Sequence, residues 1–196
     1  MDEAIELVNL TKSYGKLVAV NDVSMQVHNG EFFGLLGPNG AGKTTIVRLI
    51  TGLTRPSSGK VLVAGHDMAA EPVQVKRGFG LIPEMSNLYN DMSAWENLIF
   101  SSKLYGIRKE EASGRSLELL ELFGLKDRLG DKVGQFSKGM KRRLAIAMAL
   151  IHRPGILFLD EPTLGLDVQV SREVRSLIRE WAGPHAREGG AGGAGG

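Results

Sequence analysis

Residues 37–44 form a glycine-rich segment that follows the apolar run 31–36 and precedes a stretch with helical spacing at 43–51. The segment fits the pattern G-x-x-x-x-G-K-[ST] without a mismatch. Glycines at such a turn let backbone N–H groups point inward around an anion, and the following helix adds partial positive charge. The pattern predicts a phosphate-binding loop; an ordinary glycine-rich turn is the competing interpretation. The residues are Gly37, Pro38, Asn39, Gly40, Ala41, Gly42, Lys43 and Thr44.

The end of this segment also indicates how a nucleotide would be held. The Lys43 ammonium is expected to reach the β- and γ-phosphates, and the Thr44 hydroxyl is expected to ligate Mg²⁺. Thr45 completes the predicted nucleotide-binding set.

A second candidate group lies at the end of another apolar run, at 156–159, where Asp160 and Glu161 follow each other. Asp160 suits a hard cation that also has phosphate ligands. Glu161 could accept the proton of an attacking water during hydrolysis. An acidic strand end that only caps the next helix is the alternative interpretation.

Glycine is also over-represented, with 26 in 196 residues, and six of these lie in the last eight positions. Such a run cannot bury enough apolar surface to order itself, so residues 183–196 are predicted to be a disordered tail. The chain has no cysteine, which excludes disulfides and thiolate zinc sites. Its net charge of +2 is too small to indicate a nucleic-acid partner.

The order of elements predicts an α/β fold with a strand-rich first part and a helix-rich insertion at about 84–152. Ser93 and Glu96 have the spacing of a capping box before the first helix of the insertion. No run is long enough to cross a membrane, and no secretory signal is visible. The predicted strands are 4–10, 17–27, 31–36, 59–64, 79–82 and 156–159, and the predicted helices are 43–51, 94–105, 110–123, 138–151 and 168–181.

A third motif gives the chain a specific resemblance. Residues 136–140 open a helix that is basic at first and apolar afterwards, and they lie shortly before the Asp160–Glu161 pair. The five residues resemble the signature of ATP-binding-cassette (ABC) ATPases, usually written Leu-Ser-Gly-Gly-Gln. Ser137 and Gly139 match that signature, whereas Phe136, Lys138 and Met140 depart from it. The charge run 141–143 that follows is interpreted as a solvated helix face.

The resemblance covers residues 5–181 and implies a P-loop NTPase core with an N-terminal antiparallel β subdomain and an inserted α-helical subdomain. It implies a nucleotide-binding domain at 1–182 with ATP and Mg²⁺ as cofactors. Tyr14 stands where an aromatic residue commonly stacks on adenine, and Asp167 stands in the loop that contacts an opposing subunit. Glu84 stands where the family usually has Gln, and it is expected to ligate Mg²⁺. The segments around 83–98 are similar to cassettes of drug- and sodium-exporting systems.

In this family two cassettes face each other and sandwich ATP between the phosphate loop of one and the signature of the other. The resemblance therefore implies a second cassette and a transmembrane permease subunit as partners. It also implies a cytoplasmic location on the inner face of the membrane. Ser137, Lys138, Gly139 and Met140 would act on the ATP bound to the partner.

The chain departs from the family pattern after residue 181, where an apolar strand ending in a histidine is usual. His185 lies too few residues after Glu161 to be that histidine and is interpreted as a solvated residue. The chain therefore resembles a cassette that is truncated before the strand. The chain is then expected to retain nucleotide binding while its ATP hydrolysis is impaired. A non-hydrolysing regulatory subunit remains an alternative, as does a non-transport ABC ATPase of DNA repair or translation. The repair types need long helical arms or cysteines, and translation types usually carry two cassettes in one chain.

Overall fold

The computed structural model describes residues 3–82 and 88–159, together with Arg172 and Ser176. The chain divides into two compact units, Met1–Phe79 and Gly80–Gly196. The predictions for the tail 183–196 and for most of the helix 168–181 lie outside the described residues. So do those for four candidate site residues, namely Glu84, Asp160, Glu161 and Asp167.

The first unit is built on a four-stranded antiparallel sheet with the order β2-β1-β3-β4. Alternation along β1 buries Ile5 and Leu7 on one face. The pairing with β2 is irregular between Leu7 and Leu10, where Asn9 has a φ of 47°, and this irregularity allows Leu10 to be buried as well. Ile5 pairs with Val27 on one side and with Val63 on the other. The sheet confirms the predicted N-terminal antiparallel part, although β1 extends beyond the predicted residues. The strands are β1 Glu3–Tyr14, β2 Leu17–His28, β3 Ser58–Val63 and β4 His66–Asp67.

Two helices complete this unit, α1 at Lys43–Ile50 and α2 at Pro72–Arg77. The apolar face of α1 is buried through Ile46, Leu49 and Ile50, as the helical spacing in the sequence predicted. α1 contacts β2 and β3, and this packing holds the start of α1 beside the sheet.

The predicted strand at 31–36 is not formed, and this part of the sequence interpretation was wrong. The segment has no regular secondary structure, and Phe32 and Leu36 are 72% and 95% exposed. A wholly apolar strand is stable only between neighbours that pair with its edges and cover its faces. None of the six strands in the described ranges pairs with it.

The second unit contains a two-stranded sheet of β5 and β6 and three longer helices. Leu98, Leu120, Phe123, Leu144 and Ile146 are among the fully buried side chains of its core. The three predicted helices are thus confirmed, with ends that differ by no more than one residue. The elements are β5 Phe79–Ile82, α3 Ala94–Leu104, α4 Lys109–Leu122, α5 Lys138–Leu150 and β6 Ile156–Leu159, with short 3₁₀ helices at Lys126–Arg128 and Val133–Gln135.

The predicted capping box at the start of α3 is present. The Glu96 N–H donates to Ser93 Oγ at 3.1 Å, and the Ser93 N–H donates to Glu96 Oε2 at 2.7 Å. The backbone hydrogen bond from Ser93 lowers the pKa of the Glu96 carboxyl, with smaller contributions from the Ser93 hydroxyl and the charge of Lys132. Within the described ranges, no helix is both long and apolar enough to cross a membrane.

Candidate nucleotide-binding site

The phosphate loop predicted from the sequence connects residue 36 to α1. It turns sharply, since the Ala41 N–H donates to the Pro38 carbonyl at 3.2 Å and Gly40 has a φ of 83°. The loop is exposed from Gly37 to Ala41. Its backbone is therefore accessible to a ligand from solvent.

Within the described ranges, no side chain caps the N–H groups at the start of α1. Gly42 is the N-cap, with a φ of 84°, and it supplies no side-chain hydrogen bond. The first turn also contains no acidic residue. The N–H groups of the first turn and the positive end of the helix dipole are left for an external anion, which suits a phosphate.

Gly42 is required here for a second reason, because the loop approaches the sheet closely. A Cβ atom at this position would lie 2.5 Å from the carbonyl oxygen of Ala19 in β2. No residue with a side chain fits without a shift of the backbone. The start of α1 is consequently fixed against β2.

The Lys43 ammonium lies against the carbonyl oxygens of the loop. Its Nζ donates to Gly37 O at 2.6 Å and to Pro38 O at 2.8 Å, so the side chain folds back over the residues that precede it. An ammonium group has three protons, and the two bonds formed within the described ranges leave one for another acceptor. This position allows Lys43 to contact a phosphate held by the loop backbone.

The hydroxyls predicted beside the phosphates lie in the same helical turn. Thr44 is exposed and Thr45 is half-buried. A hydroxyl oxygen is a hard ligand that suits Mg²⁺, so the donor set of the loop fits a magnesium nucleotide. The described ranges hold no group of three or more His, Cys, Asp or Glu that could bind a metal by itself.

Tyr14 ends β1 and is 47% exposed. The Lys12 ammonium lies 4.9 Å from the centroid of its ring. An exposed ring can stack on a base. The Lys12 ammonium beside the ring would attract a negatively charged ligand to the same place. The adenine contact remains a prediction.

The signature residues form the start of α5, as predicted. Ser137 is the N-cap, and its Oγ accepts a hydrogen bond from the Met140 N–H at 3.2 Å. The hydroxyl proton has no acceptor within the described ranges, so it can still be donated to a ligand. Lys138 is exposed and Gly139 is half-buried. As in α1, the first turn contains no acidic residue.

Two of the three side chains that depart from the family signature, those of Phe136 and Met140, pack in the core. Phe136 is 6% exposed, and the Arg128 guanidinium lies 6.0 Å from the centroid of its ring. The Met140 side chain packs against the same core. The groups that the signature offers to a ligand are therefore the Ser137 hydroxyl, the Lys138 ammonium and the backbone.

The interpretation of residues 141–143 as a solvated helix face was wrong. Arg142 is only 6% exposed, because it precedes the buried Ile146 by one helical turn. Lys141 is half-buried, and its Nζ donates to Asn90 Oδ1 at 3.1 Å. The charges that remain exposed at this end of α5 come chiefly from Lys138.

Sequence reasoning missed two residues near the signature, Asn90 and Asn97. Asn97 is fully buried in α3 and binds the backbone of Tyr89 and Ser93. A buried asparagine needs several hydrogen bonds, so a polar residue among the apolar positions of α3 was the available signal. Asn90 carried no comparable signal, because an exposed asparagine in a loop is ordinary.

Comparison with known proteins agrees with these motifs. The ABC transporter family model matches residues 20–164, which is more than half of the chain. The linearmycin resistance ATP-binding protein LnrL of Bacillus subtilis (strain 168) is 42% identical over 176 residues, covering 90% of this chain and 57% of that protein. The ABC transporter ATP-binding protein NatA of the same organism is 45% identical over 163 residues, covering 83% of this chain and 66% of that protein.

A solved structure gives the same result. The dimeric ATP-binding cassette MJ0796, in a post-hydrolysis state bound to ADP and Pi, matches with a TM-score of 0.82 and 28% identity. The match covers 93% of this chain and 84% of that chain. The match spans 57% of the length of LnrL and 66% of the length of NatA, so the chain covers only part of these relatives. The family model and these relatives show that the chain belongs to the ABC transporter family.

Proposed function

We propose that the chain binds and hydrolyses ATP and that it powers a membrane transporter. The observation that supports this most directly is the start of α1, where an uncapped helix and the Lys43 ammonium lie on one exposed loop. Two sources of positive potential on one exposed loop favour a polyphosphate, such as that of a nucleoside triphosphate, over a neutral ligand.

In this proposal the loop backbone and Lys43 hold the β- and γ-phosphates, and Thr44 with Asp160 and Glu84 holds Mg²⁺. When bound there, Mg²⁺ would neutralise part of the negative charge of the phosphates. Glu161 takes the proton from a water that attacks the γ-phosphorus, while the bond from that phosphorus to the bridging oxygen breaks and ADP leaves. The roles of the three acidic residues rest on the resemblance of the sequence to the family.

A second cassette completes the site in this proposal. The start of α5 has a donor hydroxyl at Ser137, the exposed cation of Lys138 and no acid in its first turn. These groups suit the γ-phosphate of an ATP bound to the opposing chain, with Asp167 contributing to the contact between chains. The dimeric cassette with bound ADP and Pi supports this arrangement.

A permease subunit is the proposed membrane partner, and the chain would lie on the inner face of the membrane. Closure of the cassette pair on ATP and its opening after hydrolysis would supply a two-state motion for transport. The relative named for linearmycin resistance supports an exporter.

The test compares ATP binding and ATP turnover in three variants. Lys43→Ala should weaken ATP binding by at least about tenfold, because charge-assisted hydrogen bonds are lost. Lys60→Ala removes an exposed lysine of β3 and should leave binding unchanged. Glu161→Gln should retain ATP affinity and lose hydrolysis. Circular dichroism of each variant checks that the fold is intact.

Equal ATP affinity in Lys43→Ala and Lys60→Ala would refute the proposed binding site. ATP binding without any turnover, with or without permease, would point to a non-hydrolysing regulatory subunit. Equal loss of affinity and turnover in Glu161→Gln would mean that Glu161 is structural.

A further inference from the structure

The segment that leads into the signature is attached to a loop that precedes α3. We call residues 89–93 the bracket loop. The Val133 N–H donates to the Met92 carbonyl at 3.0 Å, and the Gly134 N–H donates to the Asn90 carbonyl at 2.8 Å. An isolated bridge between Ser93 and Lys132 extends this pairing. The bracket loop is therefore joined to the residues directly before Ser137.

A buried side chain fixes the bracket loop from behind. Asn97 Nδ2 donates to the carbonyls of Tyr89 and Ser93 at 3.0 and 2.9 Å. Its Oδ1 accepts the Tyr89 N–H at 3.0 Å. Since Asn97 is fully buried in α3, both ends of the bracket loop are attached to the helical core.

Asn90 lies in the middle of this loop and contacts the signature segment on both sides of Ser137. Its backbone carbonyl accepts from Gly134, three residues before Ser137. Its side-chain Oδ1 accepts from Lys141 Nζ, four residues after Ser137. The Lys141 N–H in turn donates to the Ser137 carbonyl at 2.9 Å, so Lys141 is held at both ends.

From this geometry we infer that Asn90 is a positioning residue for Ser137 in the reaction proposed above, because it holds the segment before the signature and the first turn after it. The side chain of Asn90 is exposed, whereas α5 is anchored by buried residues such as Leu144 and Ile146. Loss of the Asn90 side chain therefore removes no core packing. Its effect is confined to the orientation of the first turn of α5.

Asn90 is not one of the residues of the candidate phosphate loop, which spans 37–45. ATP binding by a single chain depends on the phosphate loop and should not change when Asn90 is altered. The contact made by Ser137 with an opposing chain should change, because a hydroxyl must be held within a fraction of an ångström to contribute fully.

The test uses Asn90→Ala, Asn90→Asp and the control Asp91→Ala, which removes an exposed side chain from the same loop. Hydrogen exchange is measured first, without nucleotide. Asn90→Ala should raise the exchange rate of the Met140 and Lys141 amides about three- to tenfold, the equivalent of one lost hydrogen bond. Asn90→Asp keeps an acceptor for Lys141 and should preserve protection, as should Asp91→Ala.

ATP-driven association of two chains is then measured by sedimentation, alongside ATP affinity of the single chain. Asn90→Ala should weaken association about three- to tenfold with unchanged ATP affinity of the single chain. Asn90→Asp should restore association. The positioning role is overturned if Asn90→Ala behaves like Asp91→Ala in either measurement, or if it weakens ATP binding to the single chain.

Failure of the proposed function gives a different result. If the wild-type chain binds no ATP, the proposed function is refuted, and the exchange rates alone decide whether Asn90 positions Ser137. The double variant Asn90→Ala and Lys141→Met should show the same amide exchange rates as Lys141→Met alone, which would support a contact shared by the two side chains. Additive increases in these exchange rates from the two substitutions would contradict the role of the Lys141 contact.

Discussion

Substitution of Gly42 by alanine tests whether the start of α1 is fixed by its approach to the sheet. Gly42 and Gly40 have nearly the same φ, 84° and 83°, so alanine at either position costs roughly 1–2 kcal/mol of backbone strain. Only at Gly42 does the new Cβ meet an atom, the Ala19 carbonyl oxygen at 2.5 Å. That oxygen belongs to β2, and forcing it away should cost about 1–3 kcal/mol more.

Gly42→Ala should therefore lower the free energy of unfolding by about 2–5 kcal/mol, and Gly40→Ala by about 1–2 kcal/mol. Urea denaturation followed by circular dichroism measures both, and the midpoints are compared at equal m-values. Because the two glycines share a backbone conformation, the difference isolates the contact with Ala19. Differences of less than about 0.5 kcal/mol would refute the claim that this contact fixes α1.

Two further predictions concern the caps of α3 and α5. The lowered pKa of Glu96 means that its carboxylate stabilises the fold fully above the ordinary value of 4.5 and loses this effect as the pH falls through the folded-state pKa. Glu96→Gln should flatten the acid side of a stability-against-pH profile, and an unchanged profile would contradict the capping role. Ser137→Ala removes the N-cap of α5 and should lower the free energy of unfolding, measured by urea denaturation, by about 1 kcal/mol. It should also abolish ATP-driven association of two chains. Retained association would exclude Ser137 from the site.

Local patterns in the sequence were sufficient for the elements that depend on local rules. The helices of the second unit follow from their apolar spacing, and the capping box of α3 follows from Ser93 and Glu96. The candidate phosphate loop could be proposed from the sequence because its residues form one continuous segment. The antiparallel sheet was visible from alternation and a turn signal, although the length of β1 was not.

Features that depend on distant neighbours could not be predicted in the same way. The apolar run 31–36 indicates a preference for burial but contains no information on which strand would pair with it. Arg142 lies in a basic run that reads as solvated, and its burial is evident only once the helical phase of α5 is known. Asn90 becomes informative only when the bracket loop lies beside the signature segment.

The starts of the longer described helices differ in a way that separates structural caps from candidate phosphate sites. α3 has a capping box that includes Glu96, and α4 has two acids in its first turn, Glu110 and Glu111. These carboxylates neutralise the positive end of the helix and would repel a phosphate. α1 and α5 have no acid there, and each places a lysine at its first position, Lys43 and Lys138.

Of these four helices, the two without acids in the first turn are those that carry the candidate phosphate loop and the signature. Their caps differ in a corresponding manner, since Gly42 offers no side chain at all while Ser137 uses its oxygen to cap the helix and keeps its proton for donation. A loop that wraps phosphates needs close approach of the backbone, which glycine permits. A helix that is proposed to meet a phosphate on another chain must first be stable on its own, and a serine cap provides that stability while leaving its proton for an anion.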